Sequence, residues 1–329
     1  CGYWGPNYVR VFDSLKNSKV QYCCDLEAKN LSKIKKICPS AKMERSYKKI
    51  ATSSDVDAVV IATPLDKHYE IAKHFLSHKK HVLIEKPFTP TVKEGMELVE
   101  IAEKNKLTLM VGHVYEYNPG IQELKELIRK KKLGNVYYIH AKRIGLGPIR
   151  KYASALWDLA THDISVALYL LDELPEKVTA VGGSYIQSKV QDMVFVSMKF
   201  PSKIIFNVYA SWIAPEKIRT ISVIGSRAMV VFDDVNKSET LKIYDRQIEK
   251  ALLDSTPEYS DHQLVVNMGD IHIPRIEQSE PLKTQAEHFL ECIEKKRNPL
   301  TDGESSLKVV KVLEAAERSL KTGRAVKCR

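Results

Sequence analysis

Ala58-Val59-Val60-Ile61-Ala62-Thr63-Pro64 is a short, unbroken apolar run closed by a turn, and its kind recurs as His81-Val82-Leu83-Ile84-Glu85-Lys86-Pro87 and again over Leu107 to Val111. Helical patterns separate these runs, from about Asp66 to Ser77 and from Val92 to Asn105. Upstream, Asn7 to Lys16 and Leu26 to Cys38 read as helices and Lys19 to Cys24 as a strand. Apolar strands without alternation, each followed by a helix, indicate a parallel sheet covered on both faces. Such sheets bind ligands beyond the C-terminal ends of their strands. Asp25, Thr63-Pro64, Glu85-Lys86 and His113 all fall at those ends, so four strand ends are expected to converge on one crevice.

The chain opens on Cys1-Gly2-Tyr3-Trp4-Gly5-Pro6-Asn7 with no strand before it. Gly2 and Gly5 fit the second and third glycines of a GxGxxG turn, which lets backbone amides approach a pyrophosphate at a helix N-terminus. The expectation is a Rossmann domain over 1–118 whose first strand is missing from this sequence, and a chain lacking it is expected to be unstable or to bind NAD poorly. Asp25, roughly twenty residues on, stands where an acid accepts the adenosine ribose hydroxyls and repels a 2'-phosphate, which favours NAD over NADP. A plain turn at Gly2 and Gly5, with Asp25 as a helix N-cap, explains the same residues equally well.

From Pro119 the pattern changes. An amphipathic helix, Gly120 to Lys132, leads to the strand Val136 to Arg143 and a glycine-bearing loop; a helix with Trp157 to Asp163 follows. Strand candidates then come in close succession: Lys177 to Ile186, Met193 to Phe200, Lys203 to Ser211, Arg219 to Ile224, Ala228 to Phe232, Leu241 to Tyr244 and Val265 to Ile273. Residues 119–329 are therefore expected to form an α+β substrate-binding and oligomerisation domain with a large, mostly antiparallel open sheet. Helices over Leu282 to Lys296 and Ser305 to Lys321 close the chain, and the last is expected to pack back on the first domain. Strands such as Ile204 to Ala210 carry more apolar surface than one helix layer covers, so a homodimer or homotetramer through the open sheet is expected.

The chain has 329 residues, 44% of them hydrophobic and 28% charged, which suits two globular domains with sizeable cores. No apolar run reaches the roughly 18 residues of a membrane helix and the N-terminus lacks a secretory layout, so a cytoplasmic protein that does not bind membranes is the expectation. The net charge of +10 comes from lysines spread over helix faces, as at Lys33, Lys35 and Lys36. No aromatic-basic reader accompanies them, which argues against nucleic acid and for a small anionic ligand. The six cysteines have neither zinc-finger nor CxxC spacing, and reduced thiols and no metal are expected.

Two stretches carry chemistry. In a helical Trp157-Asp158-Leu159-Ala160-Thr161-His162-Asp163, a carboxylate and an imidazole stand one turn apart on one face. Glu85-Lys86-Pro87 adds an amine at a strand end. Taken with Ala62-Thr63-Pro64 and His68, Gly112-His113, Tyr117-Asn118-Pro119 and the closing Ser319 to Arg324, these motifs resemble the glucose-fructose oxidoreductase and inositol dehydrogenase (Gfo/Idh/MocA) superfamily over essentially the whole chain. The glycine opening and Trp157 to Asp163 look most like its nucleotide-sugar branch, although Thr161 stands where that branch has proline.

The resemblance implies an NAD-dependent dehydrogenase that moves a hydride between nicotinamide and a ring carbon, C3, of a sugar such as UDP-N-acetylglucosaminuronic acid, in surface polysaccharide precursor synthesis. Lys86 and His162 would touch the reacting hydroxyl, one of them as base, with Asp158 orienting them. His162 is the preferred base because imidazole titrates near neutral pH, Lys86 then stabilising the alkoxide; the opposite assignment stays open. The cofactor set is Gly2, Tyr3, Trp4, Gly5, Asp25, Thr63, Pro64, His68, Glu85, Lys86 and Trp157. The substrate set is Lys86, Tyr117, Asn118, Arg150 and His162, with Arg143 and Lys151 as further anion binders. A dehydrogenase of a free sugar, polyol or inositol, and a non-catalytic NAD- or sugar-binding protein, are the alternatives.

Overall fold

A computed structural model of the chain describes residues 1–147, 153–248 and 266–328. It divides into two compact units, Cys1–Asn118 with Ser279–Glu314, and Pro119–Gln278 with Ala315–Arg329.

The first unit begins α1 (Gly5–Ser14), β1 (Tyr22–Cys24), α2 (Ala28–Ile37), β2 (Lys42–Glu44), α3 (Tyr47–Ala51), β3 (Ala58–Ile61), α4 (His68–Ser77), β4 (His81–Ile84), α5 (Val92–Asn105) and β5 (Leu109–Val111). Helix α1 starts two residues before the expected Asn7, because Pro6 is preset for a first helical turn and needs no N–H there. Strands β3, β4 and β5 are parallel, with Ile61, Ile84 and Val111 in register. Val82, Leu83 and Ile84 on the central β4 are fully buried, worth about 1.5–3 kcal/mol each, which is why the strand shows no polar alternation. Strands β1 and β2 form a separate parallel pair. Strands β1 and β3 make no ladder with each other. Helix α5 is fixed at its start by a reciprocal capping box between Thr91 and Glu94.

The second unit contains α6 (Pro119–Arg129), β6 (Val136–Leu146), a π-helical turn (Leu156–Ala160), α7 (Thr161–Leu171), β7 (Lys177–Gly183), β8 (Met193–Lys199), β9 (Ile205–Ser211), β10 (Ile213–Gly225), β11 (Met229–Asp233), β12 (Leu241–Ile248) and β13 (Val266–His272). One sheet runs β13-β12-β11-β10-β6-β9-β8-β7. Its pairs are antiparallel except β6 with β9. Along β6, Ile139 and Ala141 alternate inward, joined by Phe206 and Val208 of β9 and Val194 and Val196 of β8. Tyr138, Val181, Phe195 and Ile205 are exposed on the other face. At the start of α6 a Cβ on Gly120 would lie 2.7 Å from the Phe232 ring, so only glycine allows that approach to β11. Helix α7 is apolar nearly all round because it is a buried helix, with Ile164, Val166 and Ala167 fully enclosed.

Helix α8 (Pro281–Lys295) and the first part of α9 (Gly303–Thr322) belong to the first unit. Between them Thr301 meets the edge of β5: its carbonyl accepts from Val111 N–H at 2.8 Å, and its hydroxyl donates to Val111 O at 2.7 Å. A two-residue strand, β14 (Val326–Lys327), adds to β7. It is too short to carry a periodic signal.

Candidate functional site

In the first unit the candidate groups sit where β3, β4 and β5 end. Lys86, half-buried, follows the buried Glu85 and is joined to Pro87 by a cis bond. Glu85, expected beside the cofactor, is tied into the scaffold. Its carboxylate accepts from the buried Tyr8 hydroxyl at 2.7 Å and from Lys86 N–H at 3.1 Å. Burial and the Glu85 charge hold the Tyr8 hydroxyl pKa well above its usual range. Gly112 makes room for this pair, since a Cβ there would lie 3.2 Å from the Tyr8 oxygen.

His68, also expected beside the cofactor, is held by main-chain carbonyls. Its ring is buried, with Nδ1 2.9 Å from Pro87 O and Nε2 2.9 Å from Thr63 O, so it ties the ends of β3 and β4 together by their main chain. Desolvation lowers its pKa despite those carbonyls. Tyr117, expected against substrate, is core: it is 3% exposed, and its hydroxyl meets His288 Nδ1 at 3.0 Å. Asn118, expected beside it, is also buried.

His113, at the end of β5, belongs to one of the motifs that carry the family resemblance. It is 2% exposed, and neither ring nitrogen has a hydrogen-bond partner among the described residues. Burial, and secondarily the Lys86 charge, push its pKa down to about 3. The imidazole is therefore neutral throughout the physiological range. Burial is continuous from Thr108 to His113, so no alternation in the sequence marks which face the ring takes.

The residues at the start of the unit fit a dinucleotide. Helix α1 begins without a side-chain cap; Pro6 has no N–H, and the Asn7 and Tyr8 N–H groups donate to Trp4 O at 3.0 and 3.3 Å, so of its first residues only Gly5 offers an amide to an anion. A Cβ at Gly2 would meet nothing within 4 Å. Thr63 Oγ1 is a buried polar atom without a partner among the described residues. Asp25 follows β1, where its carboxylate accepts from Glu27 N–H at 2.8 Å and Asn30 Nδ2 at 3.1 Å. Burial raises its pKa, but the hydrogen bonds it accepts outweigh this and the net shift is downward. Tyr3 and Pro64 are exposed; Trp4 is half-buried with its ring edge-on to Tyr3 at 6.0 Å.

In the second unit Trp157, Asp158 and Leu159 lie on the π-helical turn and His162 on the first turn of α7. An α-helix had been expected throughout. The wider turn keeps Leu156 and Ala160 buried while lifting three consecutive residues, 157–159, to half-exposed positions. Asp158 and His162 thus straddle a π-to-α junction. Arg143, expected to bind an anion, is corrected: its guanidinium donates from Nε to Asp163 Oδ2 at 2.8 Å and from Nη2 to Oδ1 at 2.9 Å. Arg143 and Asp163 are 5% and 1% exposed. Arg150 and Lys151 lie outside the described residues. Thr161 is fully buried and its hydroxyl has no partner among the described residues.

Two family descriptions match the sequence: "Oxidoreductase family, NAD-binding Rossmann fold" over residues 1–113 and "Oxidoreductase family, C-terminal alpha/beta domain" over 125–328. A UDP-N-acetylglucosamine 3-dehydrogenase of Acidithiobacillus ferrooxidans is 27% identical over 246 residues, 74% of this chain and 76% of that protein. A solved structure of that enzyme superposes with a TM-score of 0.82 at 23% identity, covering 97% of this chain and 95% of the other, which speaks to fold alone. The 2,7-anhydro-N-acetylneuraminate hydratase of Escherichia coli is 28% identical over 217 residues, 61% of this chain; the match spans only 57% of the hydratase's length.

Proposed function

This chain belongs to the Gfo/Idh/MocA oxidoreductase family, and on that premise we propose that it oxidises C3 of a nucleotide sugar, such as UDP-N-acetylglucosaminuronic acid, with NAD. The observation that carries the reading is that one chain holds Lys86 at the end of β4 and the Asp158–His162 spacing at the junction before α7. Similarity to the Acidithiobacillus enzyme supports a UDP-linked amino sugar as the class.

Alcohol oxidation needs a base for the O–H and a stabiliser for the alkoxide. His162 takes the proton, Lys86 supplies the cation, and Asp158 orients the imidazole. Gly2, Gly5, Asp25 and Thr63 would hold NAD, which when bound accepts the hydride. The Asp25 carboxylate favours NAD over NADP by repelling a 2'-phosphate. The exposed apolar face of the sheet, where Phe195 stacks on Tyr209 with ring centroids 4.5 Å apart, supports a homodimer or homotetramer through that face. Gel filtration at monomer size would refute the assembly.

The test of function follows NADH absorbance with UDP-N-acetylglucosamine, UDP-N-acetylglucosaminuronic acid, free glucose and myo-inositol in parallel. Turnover with a UDP-sugar supports the reading. Turnover only with a free sugar or polyol transfers it to that substrate class, and none with NAD binding intact favours a binding protein.

A further inference from the structure

We propose that Arg143 and Asp163 form a positioning brace that sets the direction of the His162 imidazole; this rests on the reading of His162 as the group that meets the substrate hydroxyl. Helix α7 runs on from the π-helical turn and is packed into the core, with Thr161, Ile164, Val166 and Ala167 fully buried. The residue before it, Ala160, offers no side-chain cap, and the preceding turn is π-helical. Asp163 follows His162 directly and is 1% exposed, while His162 is half-buried. Consecutive helical side chains diverge by a fixed angle, so holding Asp163 against the sheet also sets where the neighbouring imidazole points.

The holding group comes from the middle of the sheet. Arg143 stands on the covered face of β6, in the inward phase of Ile139 and Ala141, and β6 is flanked by β10 and β9. Its two parallel hydrogen bonds, 2.8 and 2.9 Å, constrain angle as well as distance. A buried ion pair generally adds no stability over well-packed apolar side chains of similar volume. What it adds here is orientation.

The experiment compares Arg143→Met/Asp163→Leu, Arg143→Lys and His162→Asn, with UDP-N-acetylglucosamine and NAD as assay ligands and the His162 ring nitrogens followed by proton–nitrogen NMR. His162→Asn assigns that signal and tests the underlying reading independently: full activity in it removes His162 from the chemistry. The double variant should remain folded and bind NAD normally. Its KM should stay within about threefold while kcat falls about 30-fold, and the His162 signal should broaden or split. Arg143→Lys keeps the charge but loses the fork, and should lower kcat with KM unchanged. A folded double variant with normal kcat and an unchanged His162 signal overturns the proposal. So does a double variant that fails to fold while Arg143→Lys keeps full kcat and a sharp His162 signal.

Discussion

Buried polar groups at the strand ends of the first unit and at the β6–α7 junction of the second are held by different means. In the first, main chain does most of the work: His68 bridges the carbonyls of Thr63 and Pro87, and Glu85 accepts from Lys86 N–H as well as from Tyr8. His113 is kept neutral by burial. In the second, a full charge pair spans twenty residues of sequence to join β6 to α7. Parallel strand ends present main-chain groups at a shared register, so side chains there are placed by the sheet. Helix α7 has no such register; apolar packing of Ile164, Val166 and Ala167 seats it, and the Arg143–Asp163 pair joins it to β6.

The largest expected effect tests whether both units contribute to chemistry. Lys86→Ala and His162→Asn should each lower kcat about 10³-fold with NAD affinity kept, measured by NADH formation and by titration of NAD. Full activity in either one assigns the reaction to the other unit.

A second comparison probes the neutral anchors of the first unit. Tyr8→Phe removes a hydrogen bond to a buried carboxylate and should lower unfolding free energy by about 2 kcal/mol in urea; no loss would mean Tyr8 is only packing.

His113 gives a pH test of similar size. Its folded pKa, about 3, lies below the ordinary 6.5, so the unfolded chain binds the proton more readily. Stability is therefore full above pH 6.5 and falls as pH drops from there towards 3. His113→Phe cannot take up that proton, and relative to the unmodified protein it should gain about 2 kcal/mol between pH 7 and pH 5. A constant difference across that range would contradict a buried neutral imidazole.

The smallest effect lies in the second unit. Thr161→Val replaces a buried hydroxyl that has no partner among the described residues with a methyl of the same shape, and should raise stability by about 1 kcal/mol. A loss instead would reveal a hydrogen bond made by that hydroxyl.

The fold was legible where period and composition agree. The unalternating β4 predicted a covered parallel sheet, and the close succession of strand candidates from Lys177 to Ile273 predicted a large, mostly antiparallel one. Less legible was which polar side chains turn inward. Tyr117 and His68 sit in motifs that point to ligands, yet their partners His288, Thr63 and Pro87 are brought together only by folding. Arg143 carried a readable signal, because it shares the phase of Ile139 and Ala141 on β6. Its partner Asp163 was hidden by the intervening chain. The π-helical turn has no sequence mark, since Leu156 to Ala160 suits an α-helix equally well.

The most direct test of the account is the fate of one hydrogen. UDP-N-acetylglucosamine deuterated at C3 is incubated with the protein and NAD, and the reduced cofactor is weighed by mass spectrometry. The account predicts NADH one mass unit heavier with the unmodified protein, formed about 10³-fold more slowly with His162→Asn. Unlabelled NADH, or the deuterium left on a sugar oxidised elsewhere, would contradict it.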